Sequence, residues 1–217
     1  MNKKLITVIG MGKNIGFGVA KKFGTEGFKV AMISRNQASL DEFKNQLQKI
    51  RVEAYGFTAD VSNENSFLRT LEKIQSELGS TDVLFYNAVA RKQKNILEED
   101  FESLINDFKV NVAAALTSAK FVIPRMEGKK SGTILLTGGG LALTPNMMYG
   151  SMAIGKAGIR SLAKTLSQAV EGTGIKVGTM TICGYVRPDD PKYNPETIAN
   201  KFWEIHSHHK NGTDKVF

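Results

Sequence analysis

Between an apolar run, Leu5-Ile6-Thr7-Val8-Ile9, and an amphipathic stretch, the chain reads Gly12-Lys13-Asn14-Ile15-Gly16-Phe17-Gly18, with glycines spaced four and then two residues apart. A buried strand that turns at once into a helix needs residues without a Cβ, and a backbone that can come close to a bound group. The helix that follows carries Val19, Ala20 and Phe23. Its first turn leaves N–H groups unpaired, a natural seat for an anion. Glycine-rich turns alone are common. Set between such a strand and such a helix, this one predicts a pyrophosphate site and a dinucleotide-binding fold.

The remainder of the chain repeats the alternation. Strand-like runs fall at 5–9, 28–33, 52–58, 82–86, 132–137 and 175–182, and helical patterns at 16–26, 38–50, 64–78, 98–124 and 150–171. Leu40, Phe43, Leu47 and Ile50 share one helical face, as do Phe67, Leu71, Ile74 and Leu78. Gly27 and Gly79 stand where helices stop. A short helix near 195–206 and a last strand near 214–217 complete the series. Strands joined by helices of this length form right-handed βαβ units. The expected fold is α/β: a single Rossmann-type doubly wound domain over 1–217, with a mainly parallel sheet of about seven strands and helices on both faces.

At 217 residues the chain suits one such domain. No apolar stretch is long enough to cross a membrane, and Met1-Asn2-Lys3-Lys4 leads into the first strand without a signal peptide. The single cysteine, Cys183, rules out an intramolecular disulfide and suits a cytoplasmic location. A net charge of +8 raises nucleic acid as a partner, but the basic residues are scattered, without aromatic interleaving. An anionic cofactor and solvated faces account for the charge more simply, so neither nucleic acid nor a membrane is expected. His206, His208 and His209 lie close together without a cysteine beside them. They read as a polar helix end, and no metal site is expected. Phe202, Trp203 and Ile205 read as a core-covering face. Arg91-Lys92-Gln93-Lys94-Asn95 follows the fourth strand and reads as a solvated loop, or as a patch that attracts an acidic substrate.

The end of the second strand bears on the cofactor. Folds that choose NAD place a carboxylate about 20 residues past the glycines, on the ribose hydroxyls. Here that region is Ser34-Arg35-Asn36. Ser34 and Asn36 can donate hydrogen bonds, and the planar fork of Arg35 can pair a 2′-phosphate. NADP is therefore expected, with NAD as the second candidate. Lys13 either adds charge at the same phosphate or points into water.

With these features in place, the chain resembles the short-chain dehydrogenase/reductase family over nearly its full length. The resemblance rests on the Gly12–Gly18 loop, Ala59-Asp60-Val61-Ser62, Tyr86-Asn87-Ala88-Val89, Val110-Asn111-Val112, the Gly132–Leu136 strand and Lys156-Ala157-Gly158. It implies cofactor contacts from Gly12, Lys13, Asn14, Ile15, Gly16 and Gly18, with Asp60 and Val61 at the adenine and Asn87 and Ala88 beside the adenosine. Val110 is a further cofactor contact, and Lys156 holds the ribose. Cys183-Gly184-Tyr185-Val186 is similar to the family's Pro-Gly-x-Ile/Val, which adds Gly184 and Val186. Asn111 and Lys156 match catalytic positions.

Two other catalytic positions depart from the family. With Lys156 as the lysine of Tyr-x-x-x-Lys, the tyrosine position is Met152, and the serine thirteen residues earlier is Gly139. A thioether transfers no proton in this pH range. Tyr149, one turn before Met152, either supplies the hydroxyl or packs over the cleft beside Pro145 and Met147. Thr137 is a candidate to replace the serine. The expected activity is hydride transfer to or from a small carbonyl or alcohol, with Tyr149, Asn111 and Lys156 handling the proton. The alternative is a non-catalytic NADP(H)-binding sensor or partner subunit. The resemblance also implies a homodimer or homotetramer through helices 98–124 and 150–171.

Overall fold

The computed structural model describes residues 3–208 and 210–217. Seven strands, β1 (Leu5–Ile9), β2 (Lys29–Ser34), β3 (Ala54–Thr58), β4 (Val83–Tyr86), β5 (Gly132–Thr137), β6 (Ile175–Thr181) and β7 (Thr213–Val216), form one sheet in the order β3-β2-β1-β4-β5-β6-β7. Every adjacent pair is parallel. Both faces of the central strands are covered, so β1 is buried from end to end, Thr7 included.

The two faces take alternate residues of each strand. Leu5 and Ile9 pack with α3 (Glu64–Leu78), α5 (Ala114–Lys129) and α6 (Gly150–Ala169). Ile6 and Val8 pack with α1 (Ile15–Thr25), α2 (Gln37–Lys49) and α7 (Pro195–His208). Strand order reverses between β1 and β4, which opens a crevice at the carboxyl ends of the strands. Among the described residues no helix is long and apolar enough to cross a membrane.

The expected long helix at 98–124 is three pieces. A 3₁₀ turn covers Ile96–Glu98, and α4 (Phe101–Phe108) begins where the Asp100 carboxylate accepts from the Ser103 N–H at 2.8 Å. A π-helical turn, Lys109–Ala113, then leads into α5. Pro124 does not end the helix, and one residue on the Arg125 guanidinium donates to the Phe121 carbonyl at 3.0 Å. The stop comes at Lys130, in the left-handed region with φ +51°. Ile50, expected on the buried face of the second helix, is its C-cap and is 42% exposed.

Candidate active site

The crevice is a cleft of about 840 Å³ across the ends of β1, β4, β5 and β6. Its first wall is the glycine turn. Gly10, not singled out in the sequence, holds φ +82°, and a Cβ there would stand 2.3 Å from the Ala88 nitrogen. The turn is thus pressed onto the segment after β4, where Asn87 Nδ2 donates to the Gly10 carbonyl at 2.9 Å. The signal was present as the glycine that directly ends the first apolar run. Gly12, Lys13, Asn14, Ile15 and Gly16 line the cleft, and the Cβ position of Gly12 has no atom within 4 Å. Gly18 faces elsewhere: its Cβ would meet the Pro195 carbonyl oxygen at 2.6 Å, so it serves the packing of α7 on α1.

The Ile33 carbonyl accepts from the N–H groups of Gly10 and Met11, which sets the end of β2 against the turn. Arg35 is exposed there, beside the half-buried Ser34. Asn36 is engaged as the N-cap of α2, its side-chain oxygen accepting from Ser39 N at 2.9 Å. The Asp60 carboxylate accepts from the Ser62 N–H and hydroxyl at 2.9 and 2.7 Å, and these bonds hold its pKa below the usual range. Val61 and Ala88 pack onto the adjoining core.

Across the cleft, α6 and the π turn meet. Asn111 is 4% exposed; its Oδ1 accepts from Ala90 N at 2.8 Å, while its Nδ2 has no partner among the described residues. The Tyr86 hydroxyl donates to the Val110 carbonyl at 2.5 Å, and burial raises the pKa of that hydroxyl. Lys156 donates from Nζ to the Thr137 carbonyl at 2.8 Å, and burial pulls its pKa down to about 8. A Cβ at Gly139 would stand 3.3 Å from Lys156 Cε. The Thr137 hydroxyl, on a residue 6% exposed, has no partner among the described residues.

Tyr149, Met152 and Lys156 all line the cleft, spaced about one turn apart along α6 and its N-cap. The Tyr149 hydroxyl donates to Gln93 Oε1 at 3.2 Å. After β6, Gly184 packs beneath the Tyr193 ring, and the Val186 carbonyl accepts from Asn14 Nδ2 at 3.5 Å.

Two sequence expectations are corrected. The Arg91–Asn95 loop is not a row of solvated cations. Lys92 donates to Glu99 at 2.6 Å and to Ser103, and Lys94 lies 3.5 Å from Asp100, because acids later in the chain fold back onto the loop. Only Arg91 of this group lines the cleft. His206 is not a polar helix end either: it packs against Phe23, Phe28 and Trp203, with Nδ1 3.0 Å from the Thr133 hydroxyl. Burial pulls its pKa down to about 4. His209 lies outside the described residues.

The lining suits an anionic dinucleotide. An open glycine turn meets Lys13 and Lys156, with no carboxylate residue in the lining among the described residues. The orphaned Asn111 Nδ2 and Thr137 hydroxyl offer polar contacts at the Lys156 end.

The family model for short chain dehydrogenase matches residues 4–197. The uncharacterized oxidoreductase YvrD of Bacillus subtilis (strain 168) is 28% identical over 83% of this chain and 68% of that protein. Short-chain dehydrogenase/reductase SDRA of Arabidopsis thaliana is 30% identical over 62% of this chain and 53% of that protein. Carbonyl reductase family member 4 of Xenopus laevis is 26% identical over 91% and 82%. The chain spans about half to two thirds of the length of several relatives it matches. The solved structure of L-sorbose reductase from Gluconobacter frateurii, complexed with NADPH and L-sorbose, shares the fold with a TM-score of 0.91, at 21% identity, covering 100% of this chain and 95% of that one.

Proposed function

This chain belongs to the short chain dehydrogenase family, and from that premise we propose that it is an NADP(H)-dependent oxidoreductase acting on a small carbonyl or alcohol. The observation that carries the reading is the cleft itself: an open glycine turn at the strand-order reversal, with no carboxylate in its lining among the described residues and Lys156 held inside it. We read residues 1–217 as one cofactor-binding unit.

In this reading the N–H groups from Gly12 to Gly16, with Lys13 and Asn14, hold the pyrophosphate. Arg35 pairs the 2′-phosphate, supported by Ser34 and by the absence of a carboxylate in Ser34-Arg35-Asn36. Asp60, Val61, Asn87 and Ala88 border the adenosine; Val110, Lys156, Gly184 and Val186 border the nicotinamide end. The bound nicotinamide supplies or accepts the hydride at its C4.

The protein's own task is the proton. Met152 and Gly139 stand where the family carries its tyrosine and serine, and we propose that this site works without both. Lys156 holds a polarising ammonium near neutral pH, and Asn111 retains a free Nδ2 for an ordered water. The proton comes from Tyr149 or from that water, which leaves the site poorer by up to the roughly 10²–10⁴-fold that a positioned acid contributes.

Helices α4 and α6 support assembly as a homodimer or homotetramer. Phe101, Ile105 and Phe108 form an exposed apolar stripe on α4, and Ile154 is exposed on α6. Light scattering of the eluted protein tests the assembly. Fluorescence titration with NADPH and NADH tests the cofactor: tighter NADPH binding, weakened about tenfold by Arg35→Ala, is expected. Failure of both cofactors to bind overturns the proposal. Binding without turnover on a panel of carbonyls leaves the sensor reading in its place.

A further inference from the structure

We propose that the substrate end of this cleft selects a carbonyl compound bearing a carboxylate, with Arg91 as the anchor for that carboxylate. The proposal rests on the oxidoreductase reading and names the substrate class of the same site. The four cations of the lining are not equivalent. Lys13 belongs to the glycine turn, where the charge of the cofactor falls, and Lys156 is committed to the Thr137 carbonyl. Arg187 lies 3.9 Å from the Asp190 carboxylate. Arg91 has no ion pair or side-chain hydrogen bond among the described residues.

The reason is local. The acids that fold back onto this loop, Glu99, Asp100 and Asp107, are taken by Lys92 and Lys94; the Glu99 side chain is only 5% exposed beneath them. Arg91 is therefore left unmatched at the cleft, and it is not on a free loop. On one side Ala90 N donates to Asn111 Oδ1 at 2.8 Å. On the other, Gln93 accepts from the Tyr149 hydroxyl, and Lys94 N donates to the Met148 carbonyl at 3.0 Å. Because the backbone that carries the guanidinium is tethered on both sides, binding has only its side chain to order. Its planar fork matches a carboxylate in two-point contact.

The neighbouring walls are apolar: Val89, Leu141, Met152 and Tyr185 line the same cleft. They suit an apolar body between carboxylate and carbonyl.

Calorimetry on protein saturated with NADP+ tests this without turnover, using phenylpyruvate, pyruvate and their methyl esters as probes. The acids should bind about tenfold or more tightly than the esters. Arg91→Gln should erase that difference while leaving the affinities for NADP+ and the esters within about twofold, and Arg91→Lys should restore part of it. Equal affinity for acid and ester, no binding of either acid, or an undiminished preference in Arg91→Gln overturns the proposal alone. Failure of the unaltered protein to bind NADP+ overturns the underlying reading, and this proposal with it.

Discussion

A Cβ built on Gly155 would stand 2.6 Å from the Cβ of Asn111, so α6 approaches the π turn as closely as backbone allows. Gly155→Ala must push the two apart. The Asn111 bond to Ala90 N then lengthens, and the tether of the Arg91 segment loosens with it. We expect a loss of about 1–3 kcal/mol in unfolding free energy, the usual range for overpacking, read from urea titration. Turnover should fall further than stability accounts for.

Lys156 carries a pKa of about 8 in the folded chain against an ordinary 10.5, because burial disfavours its charge. The folded protein therefore gives up this proton first. The cost of burying the ammonium is present in full below about pH 8 and is relieved as pH rises from there towards 10.5. Thermal midpoints measured across that window should show a rising component that Lys156→Met abolishes. Cofactor affinity should move the opposite way, falling above about pH 8 as the ammonium is lost.

Tyr149→Phe removes the hydroxyl that reaches Gln93 at 3.2 Å. If Tyr149 is the proton donor, turnover drops about 10²-fold or more with cofactor affinity unchanged. Unchanged turnover assigns the step to water held by Asn111 and Lys156. Single-turnover kinetics beside a binding titration separate the two.

His206 sits neutral among aromatic rings with a pKa of about 4, against 6.5 in an unfolded chain. The unfolded state gains its proton first, so stability falls as pH drops from 6.5 towards 4, by at most about 1.4 kcal/mol per unit. Urea midpoints for His206→Gln should decline less steeply across that interval. The substitution should also lower stability at neutral pH, through lost ring contacts.

The sheet was legible because strands covered on both faces are mostly apolar, a signal local to each segment. Gly79, at φ +91°, ends α3 where the sequence placed the stop. What was not legible depends on partners far along the chain. Nothing near Asn111 announces a π turn, and the residues that contact it, Tyr86 and Gly155, come from β4 and α6. Lys92 and Lys94 look solvated until Glu99, Asp100 and Asp107 fold onto them. His206 borders a buried face that Phe202 and Ile205 advertise, yet its own polarity suggested the opposite side. Asn36 was read only as a donor to the cofactor, and its role as the cap of α2 appears only with the backbone of that helix.

The first helix touches the segment after β6 at two points: Gly18 against the Pro195 carbonyl, and Asn14 against the Val186 carbonyl. The cofactor turn is therefore joined to the stretch between β6 and α7. Any coupling that these contacts carry is reciprocal: the factor by which the cofactor changes substrate affinity is the factor by which the substrate changes cofactor affinity.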